Sequence, residues 1–141
     1  MRPRPCAEFQ ADFPDDQIED ETGIVQFGGR GVAEAIVLML RGLEYETSAP
    51  EDQQEHGWDF NVRSRDGRVW LQISDLGDGF ILQSAFYPRF SLSGKPWLAY
   101  ADLLTRLNAE VAKDSRFHDV KWQWEKDLLS GAPGAKEPAA E

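Results

Sequence analysis

The residues of this chain that could do chemistry are few and widely separated. The histidines are His56 and His118, each beside a carboxylate (Glu55 and Asp119), and the single cysteine is Cys6. A metal site needs several ligands at a defined spacing, and a nucleophile needs an ordered base beside it. The sequence offers neither pattern, so we expect no catalytic residue, no bound metal and no cofactor.

Three glycines, at positions 28, 29 and 31, precede a predicted helix. Backbone N–H groups at the start of a helix attract anions, which makes a phosphate site one interpretation. The spacing matches neither the Walker motif nor the dinucleotide fingerprint. We therefore interpret these glycines as a flexible start of the helix.

The charge balance limits the kinds of partner. The chain has 141 residues with 25 acids and 15 bases, a formal net charge of -10. Such a surface opposes the phosphates of nucleic acids and anionic membranes, and it would steer association with a basic protein. We expect a protein partner, with basic character as one version, and neither nucleic acid nor membrane.

The apolar segments are short. The longest apolar run covers residues 36–40, and the first residues lack the apolar region of a signal peptide. A single cysteine cannot form an internal disulfide. These features predict a cytoplasmic protein.

Both ends of the chain differ from its middle. Seven acids and no base occur between Glu8 and Glu21, so we predict an acidic flexible arm over residues 1–22. Residues 130–141 contain Gly, Ala and Pro without an apolar anchor, which predicts a disordered tail. A single domain over residues 23–129 remains.

Hydrophobic periodicity predicts the elements of that domain. Apolar residues recur at helical spacing over 30–43 and 96–114, the second helix starting at Ser93–Pro96, and they alternate in three strands between Trp58 and Phe86. Residues 120–124 also alternate, and residues 43–47 could add a short strand. We predict an α+β two-layer sandwich in which an antiparallel three-stranded meander and a further strand follow the order α-β-β-β-α-β.

Two turns set the register of the meander. An Asp-Gly pair at 66–67 predicts a two-residue loop closed by Arg65 and Arg68, and a second turn occupies residues 76–79. The predicted pairs are Val62 with Leu71 and Phe60 with Ile73 at the first turn, and Ile73 with Leu82, Leu71 with Ser84 and Val69 with Phe86 at the second. All of these residues share one face, as a correct register requires.

The opposite face of the meander is the predicted partner-binding surface. Arg and aromatic anchors are enriched at protein interfaces, and Arg63 could stack on Trp70. The alternatives are that the second helix covers this face or that it is ordinary solvated sheet. The predicted binding residues are Asn61, Arg63, Trp70, Gln72 and Gln83.

The predicted order of helices and strands resembles that of the type III secretion chaperone-like superfamily. The likeness rests on the helix at 35–42 leading into Leu43-Glu44-Tyr45, on the meander from Trp58 to Phe86, and on the second helix around residues 103–108. It covers roughly residues 30–125. The resemblance implies a protein-binding, non-enzymatic role and often a homodimer.

The same element order resembles the core of restriction-endonuclease-like nucleases, where carboxylates on adjacent strands hold Mg²⁺. Asp59 has a suitable place, but the next strand has Gln72-Ile73-Ser74 instead of an acid and a lysine. Metal binding and water activation would both suffer. The enzymatic alternative is therefore a degenerate nuclease, or another small enzyme with its site near Asp59, Gln72 and His56.

A second protein-binding class fits the composition. Bacterial immunity proteins that neutralise toxins are often small and acidic, because an acidic face complements a basic toxin. The acidic surface we predict for this role comprises Glu44, Glu46, Glu51, Asp52 and Glu55. The sequence thus favours a non-catalytic protein-binding module, either chaperone-like or of the immunity type.

Overall fold

A computed structural model describes residues 2–89 and 97–139 and confirms an α+β fold. Two helices pack on one face of a seven-stranded sheet, and a small hairpin lies outside it. Among the described residues, neither helix is long and apolar enough to cross a membrane. In chain order the elements are β1 (Cys6–Ala11), β2 (Ile18–Asp20), β3 (Gly23–Gln26), α1 (Arg30–Gly42), β4 (Glu46–Thr47), β5 (Glu51–Asp52), β6 (Trp58–Ser64), β7 (Gly67–Asp75), β8 (Phe80–Pro88), α2 (Leu98–Lys113) and β9 (Phe117–Gln123).

Both helices form close to where their periodicity predicts them, although the predicted start of α2 at Ser93–Pro96 lies outside the described residues. The apolar stripe of α1 is buried, whereas Leu38 on its other side is 66% exposed. Each helix therefore buries one stripe against the sheet. The helix residues of this core include Val32, Ile36, Leu40, Tyr100, Leu103, Leu104 and Leu107, and the strand residues include Phe60, Val62, Val69, Leu71, Ile73 and Leu82.

The meander has the predicted faces and one corrected register. At the second turn Ile73 pairs with Leu82, as predicted. At the first turn Ser64 pairs with Gly67, two residues from the predicted pairing, so Val62 faces Val69 and Phe60 faces Leu71. Because side chains alternate with a period of two, this shift leaves every residue on its predicted face.

Gly67 explains the shift. It belongs to β7 rather than to the loop, which is Arg65-Asp66. A Cβ added at Gly67 would lie 2.3 Å from the carbonyl oxygen of Tyr87 in β8. The glycine is therefore required where two strands approach closely, a role that an Asp-Gly pair in the sequence does not distinguish from a turn.

The prediction of a flexible arm is wrong for residues 6–11. They form β1, which pairs antiparallel with β8 on one side and β9 on the other. Ala7 and Phe9 point into the core, and Glu8 points to the opposite face beside Lys121. The acidic residues that follow, up to Glu21, do lie outside the sheet, on a loop and on the exposed β2–β3 hairpin.

The tail is also ordered over the residues described. Ala135 and Trp122 exchange two backbone hydrogen bonds of 2.7 and 2.9 Å, and Arg4 donates one to Pro138. Composition does not predict this attachment, because the hydrogen bonds join backbone groups rather than apolar side chains. The predicted order α-β-β-β-α-β is incomplete, since it omits β1 to β3 and β5, whereas the short strand predicted within residues 43–47 forms as β4.

Candidate functional site

The sheet face opposite the helices, here called the outer face, has a depression at the end near the β6–β7 turn. Its cavity measures about 520 Å³ and extends from β4 across β6 and β7 to the end of β8. We call it the arginine groove. The side chains that characterise it are Glu46, Asn61, Arg63, Arg68, Tyr87 and Arg89.

Neighbouring side chains hold Arg68 in the groove. Its guanidinium lies 4.4 Å from the centre of the Tyr87 ring, and Nη1 donates a hydrogen bond to Oδ1 of Asn61. Antiparallel pairing places Arg68 directly opposite both Arg63 and Tyr87. Stacking and a fixed acceptor orient a planar guanidinium, and the remaining N–H groups can bind a ligand.

The other arginines are less constrained. Arg63 Nη1 lies 3.4 Å from Oε2 of Glu46, in a pair whose side chains are both mostly exposed. Arg89 is placed by a backbone hydrogen bond from its N–H to Asp66. Within residues 2–89 and 97–139, no carboxylate lies within ion-pair distance of Arg68 or Arg89. The groove is thus lined by three arginines and one carboxylate, Glu46, in a chain with a net charge of -10.

The outer face brings the predicted binding residues together, in a corrected order. Asn61 pairs with Trp70 rather than with Gln72, and Asp59, Gln72 and Gln83 form the next row. Arg63 is opposite Arg68, so the predicted stacking of Arg63 on Trp70 is replaced by Arg68 on Tyr87. Both helices pack on the other face, so neither covers these residues.

Sequence reasoning missed Arg68, Tyr87 and Arg89. The register of the second turn, extended by one pair beyond Val69 and Phe86, places Arg68 opposite Tyr87. The signal was therefore present in the strand pattern.

The predicted acidic surface is exposed. Glu44 precedes β4, Glu46 is in β4, Glu51 and Asp52 form β5, and Glu55 lies in a short 3-10 turn. These carboxylates follow the edge of the sheet beside β6. Of the five, Glu46 lines the arginine groove, whereas Glu51 and Asp52 pair with Asp59 and Trp58 at the other end of β6.

Asp59 accepts hydrogen bonds from two neighbouring side chains. Its two carboxylate oxygens accept hydrogen bonds from Nε1 of Trp70 at 3.0 Å and from Nε2 of Gln53 at 3.1 Å. Gln72 is opposite Asp59 in the register, whereas the His56 ring is exposed and lies 3.8 Å from Glu55. No group of three potential metal ligands occurs among the residues described. This arrangement supports a structural role for Asp59, which fixes the Trp70 indole.

The glycines before α1 bind an internal carboxylate. The backbone N–H groups of Gly29 and Gly31 donate to the two oxygens of Asp16 at 2.9 and 2.7 Å. Asp16 thus satisfies the start of the helix as an N-terminal cap does. The N–H groups at the start of α1 therefore do bind an anion, which is the Asp16 carboxylate of the preceding loop.

Cys6 is buried on the outer face between Gln83 and Gln123. Burial raises the pKa of its thiol to about 11, so the thiol is neutral at pH 7 and a poor nucleophile. We expect native Cys6 to react with iodoacetamide at least ~100-fold more slowly than in the denatured chain. An intact-mass time course with and without guanidinium chloride measures this ratio.

An added exposed cysteine provides the control. Leu129 is 58% exposed, so the Leu129→Cys variant should gain one adduct quickly in the native state and the second only on denaturation. Equal labelling of both cysteines in the native protein would contradict the burial of Cys6.

Comparisons with known proteins give no relative. No family model matches the chain, and the searches of curated proteins and of solved structures each found no match. The resemblance to the type III secretion chaperone-like superfamily therefore stays a prediction.

Proposed function

We propose that this chain is a protein-binding module that recognises its partner with the outer face of its sheet. The observation that carries the proposal is the arginine groove beside Trp70, where guanidinium, aromatic and amide groups lie on one open face. Arg, Tyr and Trp are the residue types most enriched among binding hot spots. A sheet fixes their positions before binding, which lowers the entropy lost in the complex.

Short pairings cover part of each edge of the sheet. β4 and β5 both pair with β6 on one edge, and Ala135 pairs with Trp122 on the other. A partner strand would need an unpaired row of backbone groups. The outer-face side chains Arg63, Arg68 and Tyr87, in contrast, are exposed and need no free edge to bind a partner.

A toxin-neutralising role is the second candidate. It is favoured by the exposed carboxylates of the predicted acidic surface, which would contact a basic partner. Charge reversal at Glu51 and Asp52 should then weaken binding more than neutralisation of Arg63 and Arg68. For a chaperone-like role we expect the arginine changes to weaken binding more, because an extended segment would lie along the outer face.

Site-specific photo-crosslinking in the native host tests the proposal. A photoreactive amino acid replaces Tyr87 in the groove or, as the control, Leu38 on the exposed side of α1, since the two side chains are 50% and 66% exposed. We expect one discrete protein adduct from position 87 and none from position 38. Arg63→Gln with Arg68→Gln should reduce this adduct strongly, because loss of a hot spot costs about 2 kcal/mol or more.

The contrary results are equally specific. Adducts only from position 38 would place the interface on the helices. No adduct from either position, with both variants folded by circular dichroism, would refute the protein-binding proposal. Adducts of equal yield from both positions would indicate random encounter.

A further inference from the structure

We infer that the arginine groove binds a short acidic segment of the partner through its carboxylate side chains. This inference rests on the proposed function and adds the chemistry of the partner. The local charge provides its first argument. Arg63, Arg68 and Arg89 share the groove with a single carboxylate, Glu46, although acids outnumber bases by 25 to 15 in the whole chain.

The existing ion pair does not block the groove. Arg63 and Glu46 are 70% and 76% exposed, and such exposed pairs contribute little to stability. An incoming carboxylate can therefore share Arg63 or displace Glu46 at little cost. Arg68 and Arg89 have no carboxylate to displace among the residues described.

The orientation of Arg68 suits a carboxylate. The Tyr87 ring holds the guanidinium plane, and Asn61 takes one of its five N–H donors. The donors left over can form the paired N–H···O bonds that Arg makes with carboxylates. Because Arg68 is in the middle strand of the meander, its backbone is fixed by partners on both sides.

The composition of the groove favours a peptide over a phosphate. Glu46, which also lines the groove, can accept a hydrogen bond from a peptide N–H. A volume of about 520 Å³ admits several side chains. A carboxylate-bearing segment can pair with the arginines through its side chains and donate to Glu46 through its backbone.

Fluorescence anisotropy with synthetic peptides tests the inference. The probes are a labelled glutamate-rich peptide and the same peptide with every Glu replaced by Gln or by Lys. We expect the full-length protein to bind only the Glu peptide, with an affinity that falls as salt is added. Arg68→Gln and Arg89→Gln should each weaken binding by about 10-fold, the loss of one charge-assisted contact.

The matched control is Lys126→Gln, which removes one positive charge from an exposed residue beyond β9, outside the groove. It should leave the affinity within about twofold, because Lys126 does not line the groove and makes no contact there. Equal weakening by Lys126→Gln and Arg68→Gln would mean that only overall charge is measured, and the inference would fail. Binding of the Gln peptide as tight as that of the Glu peptide would also overturn it.

Two further measurements separate other occupants. Inorganic phosphate that binds in an Arg68-dependent way, while the Glu peptide does not, would identify a phosphate site instead. A dimer in light scattering that dissociates in Arg68→Gln would identify a second copy of this chain as the occupant. If the Glu peptide fails while the crosslink from position 87 persists, the partner still binds the outer face and only its acidic chemistry is wrong.

Discussion

Deletion of residues 2–11 is expected to prevent cooperative folding. β1 lies between β8 and β9, so its removal leaves two strands without their backbone partners and exposes the core at Ala7 and Phe9. Phe9 alone contacts Phe80 and Phe117 with ring centres 5.7 and 5.6 Å apart. Loss of one buried Phe costs about 3–5 kcal/mol, which is comparable with the whole stability of many domains.

Thermal unfolding followed by circular dichroism measures the effect. The truncated chain should show no sigmoidal transition, whereas the intact chain should show one. A control acts on the hairpin outside the main sheet: Val25→Ala changes a residue that is 50% exposed and should shift the midpoint by only a degree or two. A truncated protein that unfolds at the midpoint of the intact chain would show that β1 is dispensable.

The contrast between β1 and the meander shows what local sequence can predict. β6, β7 and β8 follow each other through short turns, so alternation and turn residues fix their pairing. Cys6 pairs with Gln83 and with Gln123, both distant in sequence, and no local pattern encodes such a choice. Ala7, Phe9 and Ala11 do alternate with polar residues, but the seven acids between Glu8 and Glu21 are typical of a solvated segment.

The groove could have been predicted only in part. Strand alternation places Asn61, Arg63 and Trp70 on one face, and the structure keeps them there. Arg89 enters the groove because the chain at the end of β8 extends past the β6–β7 turn. There the backbone N–H of Arg89 donates a hydrogen bond to the carbonyl oxygen of Asp66. That contact follows from the corrected position of Gly67, which depends on the close approach of β8.

Trp122→Ala is expected to be the most destabilising single substitution outside the meander. The Trp122 side chain is 2% exposed in the core, and its Nε1 donates to Oδ1 of Asn108 at 2.9 Å. A buried Trp truncated to Ala loses about 3–5 kcal/mol of unfolding free energy. The Asn108 oxygen left without its donor adds about 1–3 kcal/mol.

Urea unfolding of a small set of variants separates these contributions. Trp122→Phe retains most of the apolar volume but removes the hydrogen-bond donor, so it should lose less unfolding free energy than Trp122→Ala. Trp124→Ala, at a half-buried position, serves as the control. The double variant Trp122→Phe with Asn108→Ala should lose less than the sum of the two single losses, with a coupling of about 1 kcal/mol for residues in contact. Additive losses would show that the hydrogen bond contributes nothing to stability. Asn108, in α2, also donates a hydrogen bond to the backbone carbonyl of Lys136 and so links Trp122 to the C-terminal segment. Equal losses of unfolding free energy for Trp122→Ala and Trp124→Ala would contradict the burial of Trp122 beneath α2.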